Sequence, residues 1–279
     1  MDFIRILNDG RSQVIKDVAF CTLLKNKFPG KGESLKGVID GIGVDVQKTA
    51  PSVTKDALNN ARGDWYEWLL AFSAWNYFAE NKKANLALLT PNISQFDVGQ
   101  LYEDKLYNLI EDLRSKVLKS SAVQLISSNP DFVIIDRKLA NKLFPKIEKI
   151  SKIDPAAILK IETAYKKFIG KCSFEDIAGY VSVKLSFRPD RRLQIPHEGS
   201  LMKAIYTHLQ TREWIISPKG LKYYAIATVV GDSDRAALKT VATHSITTVH
   251  SVPQAAVDEV FEVNSLQQAQ DAFGKILNA

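Results

Sequence analysis

The hydrophobic positions change period several times along the chain, and each change marks an element. Residues 11–28 carry a helical pattern through Val14, Val18, Leu23 and Leu24, closed by a Phe-Pro-Gly turn, and a glycine-interrupted helix is predicted within 33–49. A stronger helix is predicted from Gly63-Asp64, with Asp64 as its N-cap, to about Asn81. Trp65, Trp68, Phe72 and Trp75 fall on one stripe of it. Glu67 falls on the neighbouring stripe with Ala71, Ala74 and Phe78, a carboxylate on a helix with little polar surface.

Shorter apolar runs follow. They predict strands at 86–89, 123–127 and 131–136, a helix over 98–119 with charged and apolar faces, and helices within 137–149 and over 154–169. Asp154 followed by Pro155 makes a cap with proline at the first helical position. The run Gly-Tyr-Val-Ser-Val-Lys-Leu-Ser-Phe (179–187) alternates: Val181, Val183 and Leu185 face a core, while Tyr180, Ser182, Lys184 and Ser186 face the other way. A helix is then predicted near His197-Glu198, strands over 221–230 and 236–244, and a C-terminal strand and helix. Strands alternating with helices describe an α/β fold around a mixed sheet, read as one domain over 1–279, with a helical N-terminal part to residue 60 and a core over 61–279.

Composition narrows the class without naming a function. The 279 residues are 46% hydrophobic and 24% charged, and no apolar run approaches the ~20 residues of a membrane span, so the expectation is a cytoplasmic protein with no membrane partner. Cys21 and Cys172 lie apart, in apolar or mixed surroundings, and read as core thiols. The net charge of +6 favours an anionic partner, and the basic residues gather tightly only at Arg188–Arg192. Phosphate-cradling glycine motifs and a nucleophile elbow are missing, and His197, His208, His244 and His250 have no zinc spacing. His208 reads as a core histidine.

What remains is a set suited to phosphodiester chemistry. Asp131 follows a proline at a strand start, Lys184 lies on the polar face of another strand, and Glu198 begins the helix behind it. Two carboxylates and a lysine suffice to hold a divalent cation, polarise water and offset charge on phosphorus. Taken singly, each has a bland reading: a turn acid, a solvated lysine, and a glutamate favoured by a helix dipole. The arginine cluster, Arg188-Pro-Asp-Arg-Arg192, contains an acid that a phosphate clamp has no use for. Arginine matches the guanine edge in the major groove, and aspartate accepts from the cytosine amino group, so Arg188, Asp190 and Arg191 form a candidate G and C reader. The plain alternative is a solvated loop in which Asp190 neutralises Arg191 or Arg192, with Arg192 otherwise on phosphate.

The stretches SSNPDF, SVKLSFRPDRRLQIPHEGSLMKA, YTHLQTREW, GDWYEWL, SQFDV and LKTVATHSIT resemble the tetrameric Type II restriction endonucleases with a CCGG core, especially those cutting RCCGGY, over roughly residues 60–265. That resemblance implies a PD-(D/E)xK restriction-endonuclease-like core, a mixed β-sheet flanked by helices. Asp131 matches the metal-binding aspartate and Lys184 the catalytic lysine. The usual acid two positions before the lysine is Ser182 here, its role taken by Glu198, and Glu67 matches a further acid near the metal. Arg188, Asp190 and Arg191 match the major-groove readers, Asn60 or Asn59 a minor-groove contact, and Trp214 an aromatic between dimers, although an ordinary core tryptophan is its plain alternative. The resemblance further implies Mg²⁺ as cofactor, double-stranded DNA as substrate, R/CCGGY cleavage with four-base 5′ overhangs, and a homotetramer built as a dimer of dimers. Two alternatives stand beside it: a non-cleaving DNA-binding protein, and a structure-specific repair nuclease of the same fold.

Overall fold

The computed structural model describes residues 3–6, 12–93, 95–125, 129–246 and 252–279. A two-stranded hairpin, β1 (Ile4–Ile6) and β2 (Ser12–Val14), precedes three helices, α1 (Lys16–Leu23), α2 (Leu35–Thr49) and α3 (Lys55–Glu80). Then come β3 (Leu86–Leu89), a 3-10 turn Val98–Leu101, α4 (Asp104–Ser121), β4 (Phe132–Ile135) and α5 (Arg137–Leu143). These lead to α6 (Pro155–Thr163), a 3-10 turn Ala164–Phe168, β5 (Ile177–Lys184) and the 24-residue α7 (Pro189–Arg212). The chain closes with β6 (Lys222–Ala227), α8 (Asp232–Leu238), a 3-10 turn Thr243–Ile246, β7 (Glu259–Glu262) and α9 (Leu266–Leu277).

Five strands form one sheet in the order β3-β4-β5-β6-β7, antiparallel through β3, β4 and β5 and parallel from β5 to β7. It is the mixed sheet flanked by helices that the sequence predicts. Its strands bury both faces; β3 and β4 have no exposed residue, and even Tyr180 and Ser182 of the expected polar face are buried. Strands covered on both sides lose the polar alternation of a half-exposed sheet.

The central helix α3 shows how the core is tied. Trp65, Trp68 and Trp75 are buried, and each indole finds an acceptor: the Lys16 carbonyl at 3.0 Å, Glu162 Oε1 at 2.9 Å and the Glu148 carbonyl at 3.0 Å. Tyr66 donates to the Val263 carbonyl at 2.6 Å. An aromatic with a polar tip buries its ring without leaving that tip unpaired.

Several boundaries differ from expectation. Asp64 is not a cap: α3 begins nine residues earlier, where Thr54 accepts from the Ala57 N–H at 3.2 Å, and Asp64 pairs in mid-helix with Lys16. Gly63 and the asparagines before it are tolerated because packing outweighs propensity. Helix α3 therefore runs through residue 60. The helix expected over 11–28 gives its first residues to β2 and ends at Leu23. The one expected over 98–119 begins as a 3-10 turn and continues as α4 to Ser121. Of residues 236–244, the first three end α8 and the last two open a 3-10 turn, with a single β-bridge from Val241 to Ala255 between them rather than a strand; Asp234, accepting from the Gly231 N–H at 2.9 Å, fixes the start of α8. Of the strand expected at 123–127, residues 123–125 are irregular, and 126 and 127 lie outside the described residues, as does His250.

The helix expected at His197 instead begins at Pro189, with Arg188 at its N-cap, and Pro196 lies inside it. A proline at the first helical position and an acid in the first turn are start signals. Pro196 then removes only the bond its N–H would make to the Arg192 carbonyl. The arginine cluster is thus a helix start, not a loop.

Candidate active site

Strand register brings the first two residues together. Phe132 pairs with Val181 across β4 and β5, so Asp131, one residue earlier on an antiparallel strand, lies beside Ser182. Asp131 Oδ2 accepts from the Val183 N–H at 2.5 Å, the Lys184 ammonium at 2.8 Å and the Ser182 hydroxyl at 3.4 Å. Three donors on one oxygen fix the carboxylate and leave Oδ1 with its lone pairs for another partner.

Glu198 comes from behind the sheet. It is buried on α7, where Oε2 accepts from the Tyr223 hydroxyl at 3.0 Å and Oε1 from Gln194 Nε2 at 2.6 Å. Gly199 explains the closeness: a Cβ there would sit 2.2 Å from the Ala256 carbonyl oxygen and 3.0 Å from the Tyr223 ring. Only glycine lets the helix lie that near. Strand pairing sets Ser182 of β5 opposite Ala225 of β6, two residues past Tyr223, so the hydroxyl that donates to Asp131 and the one that donates to Glu198 come from adjacent strands.

Charge ties the group together. Burial pushes the Lys184 ammonium down, but the charge and hydrogen bond of Asp131, aided by Glu67 and Glu198, hold it above the ordinary lysine range. Burial drives the Glu67 carboxyl well above its usual range, Asp131 drives it further, and Lys184 opposes them. Burial also raises the Tyr223 phenol well above its ordinary value, with the charges of Glu198 and Asp131 adding to it. Three carboxylates therefore act on one lysine.

Among the described residues no three acidic, histidine or cysteine side chains come close enough to form a metal cluster. The donor set still suits Mg²⁺, which takes one or two carboxylates and completes its shell with water and phosphate oxygens. Asp131 and Glu198 would hold it. Zinc, with its nitrogen and sulfur preference, fits poorly.

The arginine cluster begins four residues past Lys184. Arg188 and Arg191 stand 3.4 and 3.6 Å from Asp190 Oδ2, long contacts between exposed or half-exposed groups that cost little to break. Arg192 is different: its Nε lies 2.6 Å from Asp234 Oδ1 at the start of α8, and Asp234 is buried. Arg192 thus tethers two helices through its Nε. Asn59 and Asn60 are exposed on α3, and Asn60 lies two turns before Glu67 on the same helix. Trp214 is 88% exposed with a left-handed φ of 55°, and nearby Ile216 is 94% exposed. Its reading as a core tryptophan is overturned. Cys21 and Cys172 are buried free thiols, as expected, and His208 is half-buried, its Nε2 3.3 Å from the Leu109 carbonyl oxygen.

Sequence reading missed Tyr223, Gln194 and Gly199. A tyrosine in an apolar strand looks like plain core. The 191, 194, 198 spacing is visible only once α7 is known to start at Pro189.

Comparison with known proteins places the whole chain. The family model for Cfr10I/Bse634I restriction endonucleases matches residues 5–279. The Type II restriction enzyme Cfr10I of Citrobacter freundii is 42% identical over 286 aligned residues, covering 100% of both chains. The solved Bse634I restriction endonuclease superposes with a TM-score of 0.87 at 30% identity, covering 99% of this chain and 97% of its own. A crystal structure of the Type IIF endonuclease Bse634I with cognate DNA gives 0.88 at 29% identity, with the same coverage.

Proposed function

Because the chain belongs to the Cfr10I/Bse634I family and is a Type II restriction endonuclease, we propose that it cuts duplex DNA at R/CCGGY, with Mg²⁺ as cofactor, leaving four-base 5′ overhangs. The observation that carries this reading is the contact between Asp131 and Lys184 four residues before Arg188, which sets a hydrolytic group beside a base-reading one. Bound Mg²⁺ supplies a polarised water and charge neutralisation at the phosphate. Asp131 and Glu198 hold it, and Glu67 supports the site.

Lys184 has two uses. With its proton it offsets the charge that builds on the phosphate oxygens; aimed at the attacking water, it orients that water for in-line approach. Arg188 and Arg191 reach guanine edges with their planar forks, and Asp190 accepts from cytosine N4. Asn60 contacts the minor groove. A palindromic site calls for a two-fold dimer, each subunit reading one half. Trp214 and Ile216 join two such dimers into a tetramer, which accounts for two large apolar side chains left in water.

Run-off sequencing of the ends made from a mapped plasmid, with Mg²⁺ or with chelator, tests the whole reading. Ends at every R/CCGGY and nowhere else, only with metal, are expected. A different sequence, or a smear of ends, would reject the site assignment.

A further inference from the structure

We propose that Gln194 is a positioning residue that links base reading at Arg191 to cation binding at Glu198. This rests on the roles given above to those two residues. Positions 191, 194 and 198 are spaced i, i+3 and i+7, so they share one face of α7. Arg191 Nη1 donates to Gln194 Oε1, and Gln194 Nε2 donates to Glu198 Oε1 at 2.6 Å. One amide thus has its acceptor end on the reader and its donor end on the carboxylate.

The two oxygens of Glu198 are held unequally. Oε2 is bound by Tyr223, a buried residue of β6 against which Gly199 presses the helix. Oε1 is bound by Gln194, an exposed side chain steadied by Arg191. When Arg191 turns its fork to a guanine, the amide loses the charged donor that fixed it. Its hold on Oε1 weakens, and that oxygen becomes available to a cation. On a duplex that does not draw Arg191 away, Oε1 stays occupied. The hydrogen bonds therefore make cation binding and cognate reading favour one another, a coupling that must be reciprocal.

Gln194→Met keeps length and removes both hydrogen bonds. Mn²⁺ binding to the DNA-free protein, followed by electron paramagnetic resonance, is expected to tighten by about five-fold, the scale of one hydrogen bond. Single-turnover discrimination between the cognate site and one altered by a core base pair should fall by a similar factor, with cognate affinity within about two-fold of the parent. Arg191→Ala should tighten Mn²⁺ in the same way while losing cognate affinity, and the double variant should bind Mn²⁺ no tighter than either single one. Unchanged Mn²⁺ affinity in Gln194→Met, or a general loss of DNA affinity without it, overturns the link. Glu198→Gln separates the two levels: if it binds Mn²⁺ as the parent does, the assignment of Glu198 to the cation fails, and the link falls with it.

Discussion

Lys184 Nζ stands 2.8 Å from Asp131 Oδ2, a bond that joins the end of β5 to the residue opening β4 and gives the ammonium its nearest charge partner. Removing either side leaves the other without its main counter-charge. For Lys184→Ala the expected loss in single-turnover cleavage is about 10²–10³-fold, the usual worth of one donor that stabilises developing charge. Binding to the cognate duplex, measured by gel shift in Ca²⁺, should persist; full cleavage by the variant would remove Lys184 from the chemistry.

Glu67 makes the stability of the metal-free enzyme depend on pH. Burial, then Asp131, raises its carboxyl well above the usual range, so the folded chain keeps a proton that the unfolded chain releases above about pH 4.3. Stability from this group is lost as pH rises through that window. Glu67→Gln should therefore melt higher than the parent at pH 8 without metal, and the gap should close toward pH 4. A gap independent of pH would mean that titration of Glu67 plays no part.

The three arginines should separate into two classes. Arg188→Ala and Arg191→Ala are each expected to lose about 1–3 kcal/mol of cognate binding while random duplex is held almost as before. Arg192→Ala should keep that preference and instead lower stability by about 1–3 kcal/mol, because it strips the buried Asp234 of its charged partner. Competition binding and thermal melting distinguish the classes; equal losses on cognate and random duplex would assign Arg188 and Arg191 to phosphates.

Trp214→Gly tests assembly with little risk to the fold. The side chain is 88% exposed and its φ of 55° suits glycine, so the subunit should melt no lower than the parent. Sedimentation should show the proposed tetramer of the parent reduced to dimers. A tetramer of unchanged stability would take Trp214 out of the interface.

Gly199→Ala should destabilise the protein by about 1–3 kcal/mol, as overpacking does, since the new Cβ would meet the Ala256 carbonyl oxygen at 2.2 Å. Cleavage should fall further than DNA binding, because the strain moves Glu198. Thermal melting and single-turnover rates read the two effects separately.

The sequence conveyed most where burial or a helix cap is strong. Helices α2, α6 and α9 and strands β3 to β7 are legible because their apolar patterns are pronounced, and in α6 because Asp154 caps a start with proline at the first helical position. Three-residue strands such as β1 and β2 are too short to display a period. Gly63 and Pro196 read as helix boundaries because propensity is local, whereas packing of the aromatic face of α3 and the Gly199 contact of α7 are not. In the candidate site, Asp131, Lys184 and Glu198 each have a bland reading alone, and it is their combination and the stretches resembling the restriction endonucleases that single them out. Tyr223 and Gln194 carry no such mark, since their importance lies in what they touch.

The turn from Lys184 to Arg188 is three residues long, and both ends are locked, one into the sheet and the other into the first turn of a helix that reaches Glu198. With the roles proposed for Lys184 and Arg188, a new recognition sequence cannot be grafted here by exchanging a loop, because no free loop separates the proposed reader from the proposed hydrolytic group. Altered specificity has to arrive by single side-chain replacements in that first helical turn, each screened for its effect on hydrolysis.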